Sequence, residues 1–295
     1  MKYGAFLPHI GPLAHGNVLE HIRTTAQTAE ALGFDSVWVG DHIVTPINIA
    51  SKYPYTASGA FPLNPKEPIL EPLSVLSFAA ACTTKIRLGT AVLVLPHRHA
   101  VVTAKTVATL DILSGGRVIL GVGVGWMEEE FKVLNAPFSE RGALSDETVA
   151  AMKELWTSEN PRFAGRYYNF ADLRCEPRPV QKPHPPIWVG GHLGPALRRV
   201  VEYGDGWAAV VFSPQEFAER LARLKERAAQ AGRDMSTITL CVSPRGKRPE
   251  AMIDDIPKYQ ELGATYLYLA FFNFARSYEE MAGMMERFAR DVRLI

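Results

Sequence analysis

Hydrophobic positions along this chain switch repeatedly between two periods. Short aliphatic or aromatic runs, expected of strands buried on both faces, are followed by segments whose apolar residues recur every three or four places, expected of amphipathic helices. The runs fall at residues 3–8, 35–40, 86–93, 118–122, 187–189, 207–211, 237–242 and 265–271. The first helix opens at Asn17-Val-Leu-Glu20, with Leu19, Ile22, Ala26 and Ala29 facing inward. Others are predicted at 73–82, 100–113, 144–156, 195–203 and 249–262. Ser213-Pro-Gln-Glu216 opens one that buries Phe217, Leu221, Leu224 and Ala228, and Ser277-Tyr-Glu-Glu280 opens the last. The tetrads at Asn17 and Ser213 have capping-box spacing, and Gly33, Gly204 and Gly263 stand at helix-to-strand returns. Eight strand-then-helix units predict an α/β fold, a closed (β/α)8 barrel; an open doubly wound sheet is the competing arrangement. No Pro/Gly/Ser linker divides the chain, so a single domain over 1–295 is expected.

Two connections exceed a plain barrel turn. Residues 43–70, after the second strand, carry Tyr53, Tyr55 and Phe61 and suit a lid; residues 158–186, in the connection after the fourth, carry Phe163-Ala-Gly-Arg-Tyr-Tyr168 and suit a hairpin insertion. Arg117-Val-Ile-Leu-Gly-Val-Gly-Val-Gly-Trp126 places glycine at every second position, Gly121, Gly123 and Gly125. Side chains alternate faces along a strand, so one face is bare where the strand ends, and a flat or bulky group can lie against it.

The candidate chemistry collects at strand ends. His9, His42, His97, His99 and His192 all fall at or just past predicted C-terminal ends, which share one mouth in a barrel. Asp41-His42 directly follows the strand Ser36-Val-Trp-Val-Gly40, expected to be buried throughout; a carboxylate beside an imidazole there can fix a tautomer and move a proton near neutral pH. Gly190-Gly191-His192 precedes a helix opened by Pro195, and backbone N–H groups at such a start suit an anion, commonly phosphate. His97-Arg98-His99 has HxH spacing, which with His42 would suit a metal-dependent hydrolase barrel; no metal is expected here, because in such barrels the motif usually ends the first strand. The sequence contains no GxxxxGK[ST], GxSxG, HExxH or GxGxxG, which sets aside nucleotide hydrolysis and α/β-hydrolase chemistry.

Composition narrows the classes. The 295 residues are 47% apolar with a net charge of +1, ordinary for a globular protein and without an electrostatic footprint for nucleic acid. No apolar run reaches the ~18 residues of a membrane span. Three distant cysteines (Cys82, Cys175, Cys241) without CxxC suggest a reducing, cytoplasmic setting, and Met1-Lys-Tyr-Gly-Ala-Phe-Leu7 enters a strand at once, leaving no room for a signal peptide.

Several segments together resemble the bacterial luciferase-like superfamily, and within it the deazaflavin (coenzyme F-420)-dependent oxidoreductases. They are Trp38-Val-Gly-Asp-His42, Ile86-Arg-Leu-Gly-Thr-Ala-Val92, Ala104-Lys-Thr-Val-Ala-Thr-Leu-Asp111, Ser114-Gly-Gly-Arg117, Leu120-Gly-Val-Gly-Val-Gly-Trp-Met-Glu128, Pro179-Val-Gln-Lys-Pro-His-Pro-Pro-Ile-Trp-Val-Gly-Gly191 and Tyr203-Gly-Asp-Gly-Trp207. The resemblance implies a (β/α)8 barrel with a ring system in its mouth and hydride transfer to or from a C=C, C=N or C=O bond of a small organic substrate. Asp41 and His42 would line the reactive face. Thr90, Ala91 and Val92 would form a bulge behind the ring, often with a non-prolyl cis peptide. Gly123, Val124, Gly125 and Trp126 would lie along it, and Gly190, Gly191 and His192 would hold the phosphate. Where some deazaflavin dehydrogenases carry a proton-handling glutamate this chain has Trp126, leaving His42 alone or Glu128 one turn on for that role. An FMN-dependent two-component monooxygenase is the alternative within the superfamily, and a homodimer is implied by the same likeness.

Overall fold

The computed structural model describes residues 1–56 and 58–295. Eight parallel strands form its centre: β1 Lys2–Phe6, β2 Ser36–Val39, β3 Arg87–Thr90, β4 Val118–Gly123, β5 Ile187–Gly190, β6 Gly206–Val211, β7 Thr239–Pro244 and β8 Tyr266–Leu269. Each pairs with its neighbours in sequence, and β1 also pairs with β8. The β3–β4 step is carried by Leu88↔Val118 and Gly89↔Ile119, so the sheet closes on itself. The closed (β/α)8 barrel is thus the observed fold, and the open sheet is not.

Helices surround the barrel: α1 Val18–Ala31, α2 Pro72–Cys82, α3 Ala100–Leu113, α4 Glu128–Val133, α5 Arg141–Thr157, α6 Gly194–Tyr203, α7 Pro214–Gln230, α8 Pro249–Met252, α9 Ile256–Glu261 and α10 Tyr278–Asp291. None among the described residues is long and apolar enough to cross a membrane. Outward strand residues such as Val37, Leu88, Leu120, Val189 and Val242 pack beneath the helices. Inward residues form a separate core of Phe6, Trp38, Ile119, Trp188, Ala208, Cys241, Tyr266 and Tyr268. Two indoles fit inside because their neighbours lack side chains. A Cβ on Gly4 or Gly89 would come within 2.3 Å of Trp38, and one on Gly206 within 2.6 Å of Trp188.

Some local expectations change. Ser213 and Ser277 cap α7 and α10 by accepting from the Glu216 and Glu280 N–H groups, but Asn17 makes no side-chain cap and Leu19 is exposed. The helix expected over 249–262 divides at a 3-10 turn, Ile253–Asp255, and restarts as α9 with Pro257 in its first turn. Proline has no N–H to continue the ladder and is tolerated only there. The strand expected over 86–93 stops at Thr90, and Ala91–Val92 is a cis peptide. The 158–186 insertion contains the hairpin, pairing Phe163 with Phe170 and Ala164 with Asn169.

Candidate active site

The bulge after β3 occupies the centre of the barrel mouth. The Val92 methyls rest on two neighbouring strands: a Cβ on Gly123 would meet one at 2.4 Å, and a Cβ on Gly190 the other at 2.6 Å. A Cβ on Gly121 would meet the Thr90 carbonyl oxygen at 1.8 Å, and Gly125 is closed off by Phe131. The Cβ positions of Gly121 and Gly123 are therefore filled by the chain's own bulge. Thr90 locks the seat by donating its hydroxyl to the Gly121 carbonyl at 2.7 Å.

His42 stands beside this bulge at the end of β2. Its Nδ1 lies 2.8 Å from Glu130 Oε2, and Glu130 is 1% exposed. The other carboxylate oxygen accepts from the N–H groups of Ile43 (2.5 Å) and Val44 (3.2 Å). Burial alone would raise the Glu130 carboxyl, but its hydrogen bond to His42, the nearby imidazoles and the Ile43 N–H hold it below the usual carboxylate range. Glu130 was not singled out from sequence, where Glu128, Glu129 and Glu130 look alike. The available signal was spacing: Glu130 shares the i, i+3, i+4 face of Met127 and Phe131, all fully buried. Glu128 instead is half exposed and pairs with Lys132 at 3.1 Å, so it is not brought to the imidazole.

Asp41 does not orient His42 either. Its fully buried carboxylate takes a two-pronged contact from Arg98 (2.5 and 2.9 Å) and the Val94 N–H (2.8 Å), fastening the chain just past the bulge. Nor do the five histidines share the mouth. His9 lies in the wall beneath it, donating from Nδ1 to the Leu7 carbonyl and accepting the Gly40 N–H at Nε2. Burial lowers its pKa to about 4. His97 points inward, 4.0 Å from Glu130, with neither ring nitrogen partnered among the described residues. His99 caps α3 and packs on Tyr168. The HxH pair thus diverges, and no group of three His, Cys, Asp or Glu residues among those described could hold a metal ion.

The 43–70 connection folds over the mouth. Tyr53 and Phe61 pack on Trp126 at 5.1 and 5.3 Å between ring centroids, and Phe61 on His42 at 5.0 Å. Glu129 accepts the Ala50 and Ser51 N–H groups, while His9 and Gly11 hold the returning end through Leu70 and Pro68. Just past β5, Gly191 adopts φ +107, a conformation L side chains rarely adopt, and its carbonyl accepts from the Trp207 indole at 2.7 Å. His192 and Arg245 flank Tyr55 there; His192 Nδ1 and Arg245 Nε are buried and lack partners among the described residues. Two shallow clefts at the other end of the barrel, lined by Arg87, Trp188 and Thr239, contain none of these residues.

Orphaned buried donors beside a glycine turn suit the anionic end of a cofactor, and a bulge bordered by aromatic rings suits its flat end. Comparison with known proteins gives this arrangement a context. The chain is 31% identical over 223 residues (74% of it, 58% of the relative) to a phthiodiolone/phenolphthiodiolone dimycocerosates ketoreductase of Mycobacterium tuberculosis. Its fold matches the monooxygenase RslO1 of Streptomyces bottropensis (TM-score 0.80, 22% identity, 99% of both chains). It also matches an F-420-dependent secondary alcohol dehydrogenase in complex with an F-420–acetone adduct (TM-score 0.77, 19% identity, 99% and 98% of the chains). At these identities the structures speak for the fold alone. Residues 1–245 match the luciferase-like monooxygenase family across the barrel's first seven strands, and the chain belongs to that family.

Proposed function

We propose that this chain is a coenzyme F-420-dependent oxidoreductase acting on a C=C, C=N or C=O bond of a small organic substrate. The observation that carries the reading is the pairing, at one mouth, of the Ala91–Val92 bulge with an imidazole whose Nε2 has no protein partner among the described residues. The first offers a backing for a flat ring, the second a group that can hold or release a proton. A reduced deazaflavin, when bound, supplies a hydride. Gly190, Gly191, His192 and Arg245 would hold its anionic end, with Gly123, Val124, Gly125 and Trp126 bordering the site. Tyr53, Phe61 and Trp126 exclude water above His42, and Phe272, packed near Phe6 and His9, extends an apolar wall for substrate.

The secondary alcohol dehydrogenase and the ketoreductase support hydride chemistry at a carbonyl. RslO1 and the family's own description support a second reading, an FMN-dependent monooxygenase. Parallel titration of the purified protein with coenzyme F-420 and FMN tests the two. Micromolar binding of the deazaflavin is expected; FMN binding with no deazaflavin affinity would replace the first reading by the second.

We also propose a homodimer in a reducing cytoplasm. Val102, Ile112 and Leu113 are exposed apolar residues on α3, and Cys82, Cys175 and Cys241 are free thiols. Sedimentation should give twice the chain mass, falling to one chain in Val102→Glu.

A further inference from the structure

We propose that Glu130 is the positioning residue for His42: it fixes the imidazole with its proton on Nδ1 and so reserves Nε2 for the reaction. The proposal rests on reading His42 as the proton-handling group. An ionised carboxylate can only accept hydrogen bonds. Glu130 Oε2 lies 2.8 Å from His42 Nδ1, so that nitrogen must carry hydrogen. Nε2, at the far edge of the ring, is then bare whenever the ring is neutral. Phe61 and Trp126, themselves in contact, pack against the same imidazole, so their rings help Glu130 to hold its orientation.

Among the described residues, no neighbouring charged group competes for this role. Asp41 is committed to Arg98 and to the Val94 N–H. Arg98 spends its remaining reach on Glu71 at 3.1 Å. His97 stands 4.0 Å from Glu130 Oε1, beyond hydrogen-bond reach, and burial favours its neutral form. The Ile43 and Val44 N–H groups fix the rotation of the carboxylate by holding Oε1, which leaves Oε2 for the ring. All three donors belong to consecutive residues at the root of the lid, so one buried carboxylate fixes both the imidazole and the backbone that leads into the cover.

The chemical consequence is a cycle at one nitrogen. In the reducing direction the N–H bond at Nε2 breaks while an O–H, N–H or C–H bond forms on the substrate atom that gained electron density from the hydride. The bonding pair stays on Nε2, and the ring returns to the Nδ1–H form. In the oxidising direction Nε2 accepts the proton, and Glu130 faces the resulting imidazolium across 2.8 Å. Neither direction requires the ring to flip or the Nδ1 proton to leave.

The test is the tautomer of His42 in 15N-labelled protein without cofactor, read near pH 8 from two-bond 1H–15N correlations. The wild type is expected to show the Nδ1–H pattern. In Glu130→Gln the amide oxygen must stay with the Ile43 and Val44 N–H groups, so the amide NH2 faces Nδ1 and drives the proton to Nε2. The same variant should lower kcat roughly a hundredfold or more with KM little changed. Glu130→Asp, still an acceptor, should keep the Nδ1–H pattern and recover part of kcat. An Nε2–H pattern in the wild type overturns the proposal whether or not any variant folds, as does a Glu130→Gln protein with unchanged tautomer and kcat. Because the tautomer is read without cofactor, failure of deazaflavin binding would leave this result standing, and the two readings fail separately.

Discussion

The carbonyl oxygen of Thr90 stands 1.8 Å from where a Cβ on Gly121 would be, so backbone from one strand fills the space that a side chain on the next would need. Gly121→Ala should therefore displace the bulge itself. Overpacking against backbone is expected to cost about 3 kcal/mol or more, read as a lower urea midpoint or loss of soluble protein. Gly283→Ala is the control: it lies within α10 and its Cβ would meet only the flexible end of Arg287 at 3.3 Å. There, replacing a helical glycine should stabilise by roughly 0.5–1 kcal/mol. A mild effect of Gly121→Ala would mean that the bulge has room to move.

Asp41 and Arg98 make the second expectation. Asp41→Asn takes from the Arg98 guanidinium, itself mostly buried, its fully buried counter-charge and leaves only the part-exposed Glu71 at 3.1 Å. Removing one partner of a buried pair costs about 3–5 kcal/mol, so urea denaturation should show a large loss. The double change Asp41→Asn with Arg98→Met should be less damaging than the sum of its parts. Additive losses would show that the two side chains do not depend on each other.

His9 predicts how stability varies with pH. Its folded pKa is lowered to about 4, against an unfolded value of about 6.5. Between those values the unfolded chain binds the extra proton, so this contribution is complete above about pH 6.5 and is lost as pH falls toward 4. The full span corresponds to about 3 kcal/mol. Urea midpoints measured from pH 7 down to pH 4 should fall accordingly. His9→Gln should be less stable at pH 7 yet show a flatter slope over the same window; an unchanged slope would assign the effect to other groups.

Arg245 and His192 concern cofactor affinity. Each presents a buried nitrogen with no partner among the described residues, His192 directly after the Gly190–Gly191 turn and Arg245 across Tyr55 from it. A hydrogen bond to a charged group is worth about 1.5–3 kcal/mol. Arg245→Gln should therefore weaken deazaflavin binding roughly tenfold or more, with the urea midpoint little changed. Equal affinity in variant and parent, measured by fluorescence titration, would place the anionic end of the cofactor elsewhere.

Much of the architecture was legible because period is a local property. The apolar runs at 118–122 and 207–211 lie within β4 and β6, the Ser213 box caps the helix it announces, and the last helix opens where Ser277 predicts it. Asn17 fails as a cap although its spacing is right, since spacing does not fix the side chain's rotamer. The site was legible only in part. Asp41-His42 reads as a pair because the residues are adjacent, yet in the fold their partners are Arg98 and Glu130, 57 and 88 residues away. Glu128 was favoured over Glu130 because one turn of helix, seen alone, does not reveal which carboxylate faces the core.

The spacing of apolar residues and helix-start chemistry, each set by the backbone's own repeat, determined that this chain builds eight strand-and-helix units with a bare rim after the fourth strand. Only closure of the barrel decided what those features meet. Gly121, Gly123 and Gly190 proved to seat Thr90 and Val92, and the three acids after Trp126 proved to face different neighbours. The physical reason is range: propensity and period act across a few residues, whereas a buried carboxylate or a missing Cβ takes its role from whichever distant segment the closed sheet places within a few ångströms of it.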